Sequence, residues 1–474
     1  MSDNIFAYHH AETDRDGSET RAVDASVRLP VLVLFGNAVH WLVVASLIAF
    51  VLSVKLIAPG FLGGISFLTY GRLAPMARDL FLYGWASQAA IAAGIWLVAR
   101  LSGRPLGGVL HTTLIVSAAV LWNVAVLLGT LAIFAGYSTG VEWLEYPNWA
   151  SAMLLLSFVL IGIWVVLHFD RRVNERAEVA QWYLVAGFCS FPWVYGTANL
   201  LLTWKPVQAS AQGPVQSWYC SGLLTLWLLP VALAALYSLL PRLLGCHINR
   251  RNLAALGFWM ILFLGGWSGL SRLIGGPVPA WMTSAGVVAG VLFLIPVVIV
   301  MINLLTLRGE EESGISIPRN FLHTGLLALL AVGILGALVS LSDISAFARF
   351  TAITEAGNQL WILGAISFPL FAVLYEAVPA LLGRDAWSPA LSQRHYWLTF
   401  SGLWLLVGLM LFGGLFTGLA LGDPTVSFLN ITSYSYPFHV LECAAQLLLF
   451  AAAMILGLNL SRALAWDYLF PKKK

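Results

Sequence analysis

Apolar residues occur along this chain in long runs that short polar segments separate. The hydrocarbon core of a bilayer is about 30 Å thick, so a helix needs roughly 20 apolar residues to cross it. Backbone groups in lipid must pair within their own segment, so each such run is predicted to be a helix. The pattern therefore predicts an all-α polytopic membrane protein with twelve transmembrane helices. The twelve runs lie near residues 32–57, 79–100, 108–136, 149–169, 180–203, 217–241, 253–274, 279–306, 321–342, 352–381, 396–421 and 437–462.

The composition agrees with a membrane protein. Apolar residues make up 59% of the chain and charged residues only 10%, whereas soluble domains carry about 25% charged residues. We expect one bundle over residues 31–464, with no separate soluble domain. The polar residues 1–30 lack the apolar core of a signal peptide, so they are predicted to form a mobile cytoplasmic tail. Residues 465–474 form a short basic tail.

The distribution of Lys and Arg predicts the orientation in the membrane. If both termini lie inside, most of the basic residues fall in the inner segments, and the positive-inside rule is satisfied. We therefore predict a multi-pass protein of a bacterial-type inner membrane with both termini in the cytoplasm. No basic patch suggests nucleic acid, and no Cys or His spacing predicts a metal site. The basic residues left on the outer side are Arg72, Arg78, Lys205, Arg272 and Arg349.

A carboxylate, Glu355, lies at the start of the tenth run, in the stretch Thr351–Trp361. An ionisable group inside a membrane costs roughly 2.5–3.5 kcal/mol on insertion scales, and by default it marks a functional or paired site. The alternative is a position at the headgroup boundary, where a carboxylate costs little. Other charges fall at a similar depth in their runs, and low dielectric favours pairing among them. The candidate buried charge cluster is Arg78, Asp79, Arg272, Glu355 and Glu442.

Two further acids, Glu142 and Glu145, lie in the loop between the third and fourth runs, beside Trp143 and Trp149. Aromatic residues at this position fit an interfacial belt. The two carboxylates are candidates for cation binding or for a proton route, and solvated loop acids are an equally good interpretation.

Several short stretches together resemble subunit I of the cbb3-type cytochrome c oxidases, in the haem-copper oxidase superfamily. They are Gly71–Pro75, Glu142–Pro147, Trp218 with Tyr219, Pro279 with Trp281, and Tyr436 with Pro437. The similarity runs from about Arg28 to Leu464, and the stretches fall in order on the twelve runs. The resemblance implies the twelve-helix bundle of that subunit, two haems and a copper ion, with oxygen reduction as the reaction.

The residues that the resemblance assigns to the metals are changed in this chain. The low-spin haem ligands would be Ala77 and Glu355, and the high-spin haem ligand would be Ile353. The copper ligands would be Ser221, Ser271 and Arg272. The family's tyrosine that is joined to a copper ligand corresponds to Gly265, and an arginine near the haem propionates corresponds to Glu442.

None of the six metal-ligand positions carries an imidazole. Haem iron takes His, Met, Cys or Tyr as its axial ligand, and copper of this kind takes imidazole. Met76, beside Ala77, is the best remaining donor. We therefore predict no haem, copper or other metal, and no catalytic residue.

Three functions follow from this pattern. The first is a non-catalytic scaffold or anchor subunit of a respiratory or redox complex, with other membrane subunits, c-type cytochromes among the candidates, as partners. The second is a proton- or ion-translocating subunit that uses charges in the emptied haem pocket. The third is a divergent cytochrome c oxidase that still reduces oxygen.

Overall fold

A computed structural model of the protein describes residues 3–173, 177–248, 250–307 and 316–469, with side chains between residues 18 and 465. All twelve predicted spans are present as helices long and apolar enough to cross a membrane, which confirms the predicted fold class. The helices are α1 (Asp3–Ile57), α2 (Tyr70–Ser102), α3 (Val109–Ala135), α4 (Asn148–Asp170), α5 (Val179–Trp204), α6 (Ala209–Leu243), α7 (Arg251–Leu273), α8 (Ala280–Leu305), α9 (Ile317–Ser340), α10 (Ala352–Leu382), α11 (Pro389–Leu421) and α12 (Phe428–Leu469).

Three helices form the centre of the bundle. The most apolar windows of α2 and α6 are 94% buried and that of α10 is 78% buried, whereas the corresponding windows of the other nine spans are 33–50% buried. Large apolar side chains such as Phe412 and Phe416 on α11 are exposed. Lipid tails are as apolar as these side chains, so an outward apolar face is the expected surface of a membrane bundle.

Each of the three central helices contains a π-helical segment. The segments are Leu80–Ser87 in α2, Leu223–Leu228 in α6 and Leu360–Ile366 in α10. π-Helix is rare, and it occurs mostly as single-turn insertions, frequently at functional sites. The last turn of α7, Gly269–Leu273, is a 3-10 helix. A further π-helical segment, Leu200–Trp204, ends α5, so irregular backbone occurs on all the helices that the resemblance assigns to metal binding but is not confined to them.

The prediction of a mobile tail over residues 1–30 is wrong for residues 18–30. Helix α1 is continuous from Asp3, and Asp24 is buried. Arg100 donates from Nε to Asp24 Oδ1 at 2.9 Å, and Trp96 donates from Nε1 to the same oxygen at 3.1 Å. The carboxylate is thus neutralised and hydrogen-bonded by α2, which fixes this part of α1. The last residues of the predicted basic tail, 470–474, lie outside the described residues.

Candidate functional site

Four of the positions assigned to metal ligands line one cavity of about 310 Å³: Ser221 on α6, Ser271 and Arg272 at the end of α7, and Ile353 on α10. Helices α6 and α7 approach closely here because Gly269 has no side chain and leaves room for the backbone of the other helix. A Cβ at Gly269 would lie 2.2 Å from the carbonyl oxygen of Ser217. The structure therefore brings together residues that are far apart in the sequence.

The side chains around this cavity do not fit a haem or a copper ion. Among the described residues that line it, none is His, Cys, Met or Tyr. The hydroxyls present are occupied, since Ser221 Oγ donates to Trp218 O at 3.1 Å and Ser271 Oγ donates to Ser268 O at 2.9 Å. Neither iron nor copper would find an axial or imidazole donor in this wall.

The position of the family's tyrosine is closed by packing. Gly265 on α7 faces Thr225 on α6, and a Cβ at Gly265 would lie 2.6 Å from Thr225 Oγ1. Any side chain larger than hydrogen would push α6 and α7 apart. The close packing of these two helices has taken the space that a tyrosine ring would need.

The two positions assigned to the low-spin haem also lack a suitable donor. Ala77 is buried on α2 and has only a methyl group to offer. Glu355 is held by its own helix, since Gln359 Nε2 donates to Oε1 at 2.8 Å and Asn358 Nδ2 donates to Oε2 at 3.2 Å. The carboxylate is thus bound by amide groups on α10. Glu355 is therefore a partly buried, hydrogen-bonded acid, which favours the first of the two interpretations of this residue over a freely solvated position at the headgroup boundary.

The five predicted charges do not form one cluster. Arg272 Nη2 contacts Asn358 Oδ1 at 3.4 Å, so Asn358 links Arg272 to Glu355 without a direct ion pair. Glu442 Oε2 instead lies 2.9 Å from His439 Nδ1, one turn away on α12. Helix α12 packs on α1 and α11, which separates Glu442 from the ends of α7 and α10. The predicted cluster is therefore corrected: Glu442 is separate, and Glu355 lies within electrostatic range of Arg78 without a described ion pair to it.

Arg78 and Asp79 belong to a second group, in which Asp79 is fully buried and the Arg78 side chain is 45% exposed. Arg78 Nη2 lies 3.0 Å from Glu145 Oε1, and Glu145 is only 2% exposed, so the interpretation of Glu145 as a solvated loop acid is wrong. The Asp79 carboxyl is fully buried within hydrogen-bonding reach of Glu145. Among the described residues, no N–H or O–H donor reaches either Asp79 oxygen or Glu145 Oε2.

Two adjacent buried carboxyl groups do not both ionise, because the charges repel at low dielectric. Burial raises the pKa of Glu145 above its ordinary value, while the hydrogen bond with Asp79 and the charge of Arg78 act in the opposite direction. A proton shared between Asp79 and Glu145 provides a hydrogen bond between one oxygen of each group, and the two groups then titrate as a pair. This is the arrangement in the structure best suited to hold a proton.

Four buried tyrosines lie within electrostatic range of Asp79. Tyr83 and Tyr219 place their hydroxyl oxygens 2.5 Å apart, and Tyr219 donates to Trp143 O at 3.0 Å. Tyr146 and Tyr195 also lie within electrostatic range of Asp79. Sequence reasoning missed this network because its members come from four different segments, and each residue alone is typical of a helix core.

Sequence reasoning also missed the role of Arg349, which it placed only among the outer basic residues. Arg349 lines the same cavity as Arg272, and Nη2 donates to Ser271 O and to Ser345 Oγ, both at 2.9 Å. Burial, and secondly the charge of Arg272, lower the pKa of Arg349. The only signal in the sequence was its place two residues before Thr351–Trp361.

The comparisons with known proteins cover nearly the whole chain. The family model described as "Cytochrome C and Quinol oxidase polypeptide I" matches residues 30–456. A "Cytochrome c oxidase subunit 1 homolog" of Azorhizobium caulinodans is 22% identical over 448 residues, which is 89% of this chain and 79% of that protein. A "Cytochrome c oxidase subunit 1 homolog, bacteroid" of Bradyrhizobium diazoefficiens is 24% identical, over 89% and 80%.

A third relative carries the subfamily name. The "Cbb3-type cytochrome c oxidase subunit CcoN1" of Stutzerimonas stutzeri is 23% identical, over 82% of this chain and 85% of that protein. Together these matches confirm the resemblance that the short sequence stretches indicated. Function lies in the site and not in the fold, so the changed donors still decide what this chain does.

Proposed function

This chain belongs to the cytochrome c and quinol oxidase polypeptide I family, and we propose that it acts as a non-catalytic subunit without haem or copper. In this proposal it anchors other subunits of a respiratory or redox complex in the membrane. The observation that carries the proposal is the chemistry of the six assigned positions. They read Ala77, Ile353, Glu355, Ser221, Ser271 and Arg272.

The packing around these positions supports the proposal as strongly as their chemistry does. Gly265 has no room for a tyrosine, and a Cβ at Gly414 would lie 2.7 Å from the Ile353 backbone nitrogen. Both contacts bring helices together beside the cavity of about 310 Å³, which supports close packing at the tyrosine position and behind Ile353. A divergent oxidase would need donors that this wall does not offer, so that alternative has little support.

A scaffold subunit needs exposed surface for binding partner subunits and does not need a catalytic site. The most apolar windows of α11 and α12 are only 33% buried, and they present exposed aromatic residues such as Phe412 and Phe428. Small and aromatic faces of this kind are suited to packing against lipid or another membrane helix. We propose other membrane subunits as partners, with c-type cytochromes among the candidates, and a bacterial inner membrane with both termini in the cytoplasm.

The experiment is haem and copper analysis of the intact complex. The complex is purified in mild detergent through a tag on this chain, its subunits are identified by mass spectrometry, and haem and copper are measured per chain. This chain is then separated from its partners and measured again. We expect co-purifying subunits, and no haem or copper that stays with this chain. A stoichiometric Soret band in the isolated chain would overturn the proposal, and so would the absence of any partner.

A proton- or ion-translocating role is the second candidate, and the Asp79–Glu145 pair is the observation that favours it. The pair holds a site for a shared proton, and the hydroxyls of Tyr83 and Tyr219, 2.5 Å apart, lie within electrostatic range of Asp79. Proton uptake by proteoliposomes tests it with Asp79→Asn, Glu355→Gln and the exposed control Asp343→Asn. A translocating protein would lose uptake in Asp79→Asn and keep it in the control. Equal uptake in all variants, or none in the wild type, would contradict this role.

A further inference from the structure

The cavity between α6, α7, α9 and α10 is apolar along most of its wall and cationic at one end. Its apolar side chains include Phe293, Val332 and Leu335. Arg272 and Arg349 supply the charge. Ligand sites in proteins are mostly apolar hollows of about 300–1,000 Å³ with a few placed polar groups, and a cavity of about 310 Å³ lies at the small end of that range.

The guanidinium groups of Arg272 and Arg349 differ in the number of hydrogen bonds that they donate. Arg349 donates to two backbone carbonyls and to Ser345 Oγ. Arg272, in contrast, has one long contact of 3.4 Å to Asn358 Oδ1 among the described residues. A guanidinium carries five N–H donors and prefers carboxylate or phosphate oxygens. Arg272 is therefore the group in this wall with donors left for an anion.

The charges around the cavity do not balance. Glu142 also lines it, yet among the described ion pairs it contacts neither Arg272 nor Arg349. Among the side chains that line the cavity, two cations face one anion; the next acid, Glu355, is bound to Asn358 and Gln359 and forms no described ion pair with either arginine. An anion bound beside Arg272 would reduce the repulsion between the two arginines, because opposite charges at short range stabilise each other in low dielectric.

We propose that this cavity binds a single-chain amphiphilic anion of the fatty-acid type. The carboxylate head accepts hydrogen bonds from Arg272, and the alkyl chain lies against Phe293 and Leu335. The volume is about twice that of an engineered 150 Å³ cavity that admits benzene, so it suits one medium-length alkyl chain and not a two-chain lipid. The inference does not depend on which complex the chain belongs to.

Glycine supplies a way to fill the cavity without disturbing the helices. Gly357 lines the cavity, and a Cβ there would meet only Leu335 Cδ2 at 3.8 Å, an ordinary contact. Gly357→Leu should thus occupy the space of the alkyl chain. Gly408 on α11 is the matched control, since it has no atom within 4 Å of a Cβ and does not line the cavity.

The experiment uses two photoreactive probes on the full chain in zwitterionic nanodiscs: a diazirine-bearing decanoic acid and the matching decanol. Labelled peptides are quantified by mass spectrometry for the wild type, Arg272→Gln, Gly357→Leu, Gly408→Leu and the exposed arginine control Arg462→Gln. Thermal unfolding of each variant shows whether it is folded. Unlabelled decanoate and decanol also compete on the wild type, which needs no variant.

We expect the acid to label cavity peptides about tenfold more than the alcohol, as one charge-assisted hydrogen bond implies. Arg272→Gln should abolish that preference and Gly357→Leu should abolish labelling by both probes, while the two controls behave as wild type. Equal labelling by acid and alcohol in the wild type, or unchanged labelling in Gly357→Leu, would overturn the proposal. Nanodiscs that contain phosphatidylglycerol test whether a lipid phosphate binds instead of a carboxylate. If phosphatidylglycerol displaces the acid probe, the carboxylate assignment is overturned in favour of a membrane phosphate. If labelling by the acid probe persists, the carboxylate assignment is supported. A haem bound in the cavity would be detected by its absorbance. That result would contradict the proposed haem-free function and is distinct from the labelling results that test the fatty-acid site.

Discussion

The carboxyl group of Asp79 on α2 lies within hydrogen-bonding reach of the carboxyl group of Glu145, which is in the loop between α3 and α4. Asp79 is fully buried and Glu145 is 2% exposed, so water does not separate them. Arg78 neutralises one oxygen of Glu145 at 3.0 Å, and within the described part of the chain the other three oxygens of the pair have no donor. A proton shared between the two groups satisfies two of these three oxygens.

The pH dependence of stability should follow the protonation of Glu145. Burial raises the pKa of Glu145 above its ordinary value of 4.5. A raised carboxyl pKa means that the folded state binds the proton more tightly than the unfolded state. The contribution to stability is then fully present below the ordinary pKa and is lost as the pH rises through the raised one. We expect the apparent unfolding temperature to fall as the pH rises above the ordinary carboxyl pKa.

Glu145→Gln tests this, measured by tryptophan fluorescence during heating. The variant also loses the ion pair with Arg78, so its curve should lie lower, but its slope against pH should be flatter than that of the wild type. The exposed Asp343→Asn serves as control and should keep the wild-type slope. Parallel curves for the wild type and Glu145→Gln would contradict the prediction.

Replacing Asp79 by asparagine should leave the protein as stable as the wild type or make it more stable. The amide has the same shape, carries no charge and brings an N–H donor for Glu145 Oε2, which has none among the described residues. Satisfying one buried acceptor of this kind is worth about 1 kcal/mol. Asp79→Ala provides no donor and leaves a gap, so it should lower stability by about 1–3 kcal/mol. Equal losses in the two variants, in heating or denaturant experiments, would show that the carboxylate itself stabilises the fold.

The Asp24–Arg100 contact gives a test of the first helix. Asp24 is buried and accepts from Arg100 Nε at 2.9 Å, and Arg100 also lies over the Trp96 ring at 4.8 Å. Removing one partner of a buried pair leaves the other charge without compensation and costs about 3 kcal/mol. Asp24→Ala should lower the apparent unfolding temperature well below that of the control Asp343→Ala. A loss no larger than that of the control would mean that residues 18–30 are not packed as the structure shows.

The twelve helices could be predicted because each apolar run is long enough to cross a bilayer, and run length is a local property. The packing of residues 18–30 could not be predicted in this way. Asp24 finds its partners Trp96 and Arg100 at 72 and 76 residues' separation, and nothing in the polar composition of the tail indicates them. The composition of a segment indicates how readily it is solvated, but it does not indicate which distant side chains bind to it.

In the candidate site, too, the residues could be predicted from the sequence but their contacts could not. Ser221, Ser271, Arg272 and Ile353 were singled out together by resemblance, and the structure places them around one cavity. The pairing of charges needed three dimensions. Arg78 contacts Glu145 across 67 residues. Similar depth in the membrane had grouped Arg78 with Asp79, Glu355 and Glu442, but depth says nothing of the angle at which helices face each other.

The contact between Gly414 and Ile353 tests whether packing has replaced the ligand position on α10. A Cβ at Gly414 would lie 2.7 Å from both the backbone nitrogen and Cγ1 of Ile353. The backbone nitrogen cannot rotate away, so Gly414→Ala should separate α10 and α11 and cost about 1–3 kcal/mol. Gly408→Ala on the same helix meets no atom within 4 Å, and it should leave stability unchanged or slightly higher, since alanine favours helix over glycine. Unfolding of both variants in the same detergent gives the comparison. If Gly414→Ala is as stable as Gly408→Ala, the two helices are not in close contact at Ile353, and the space for a larger group at that position is open.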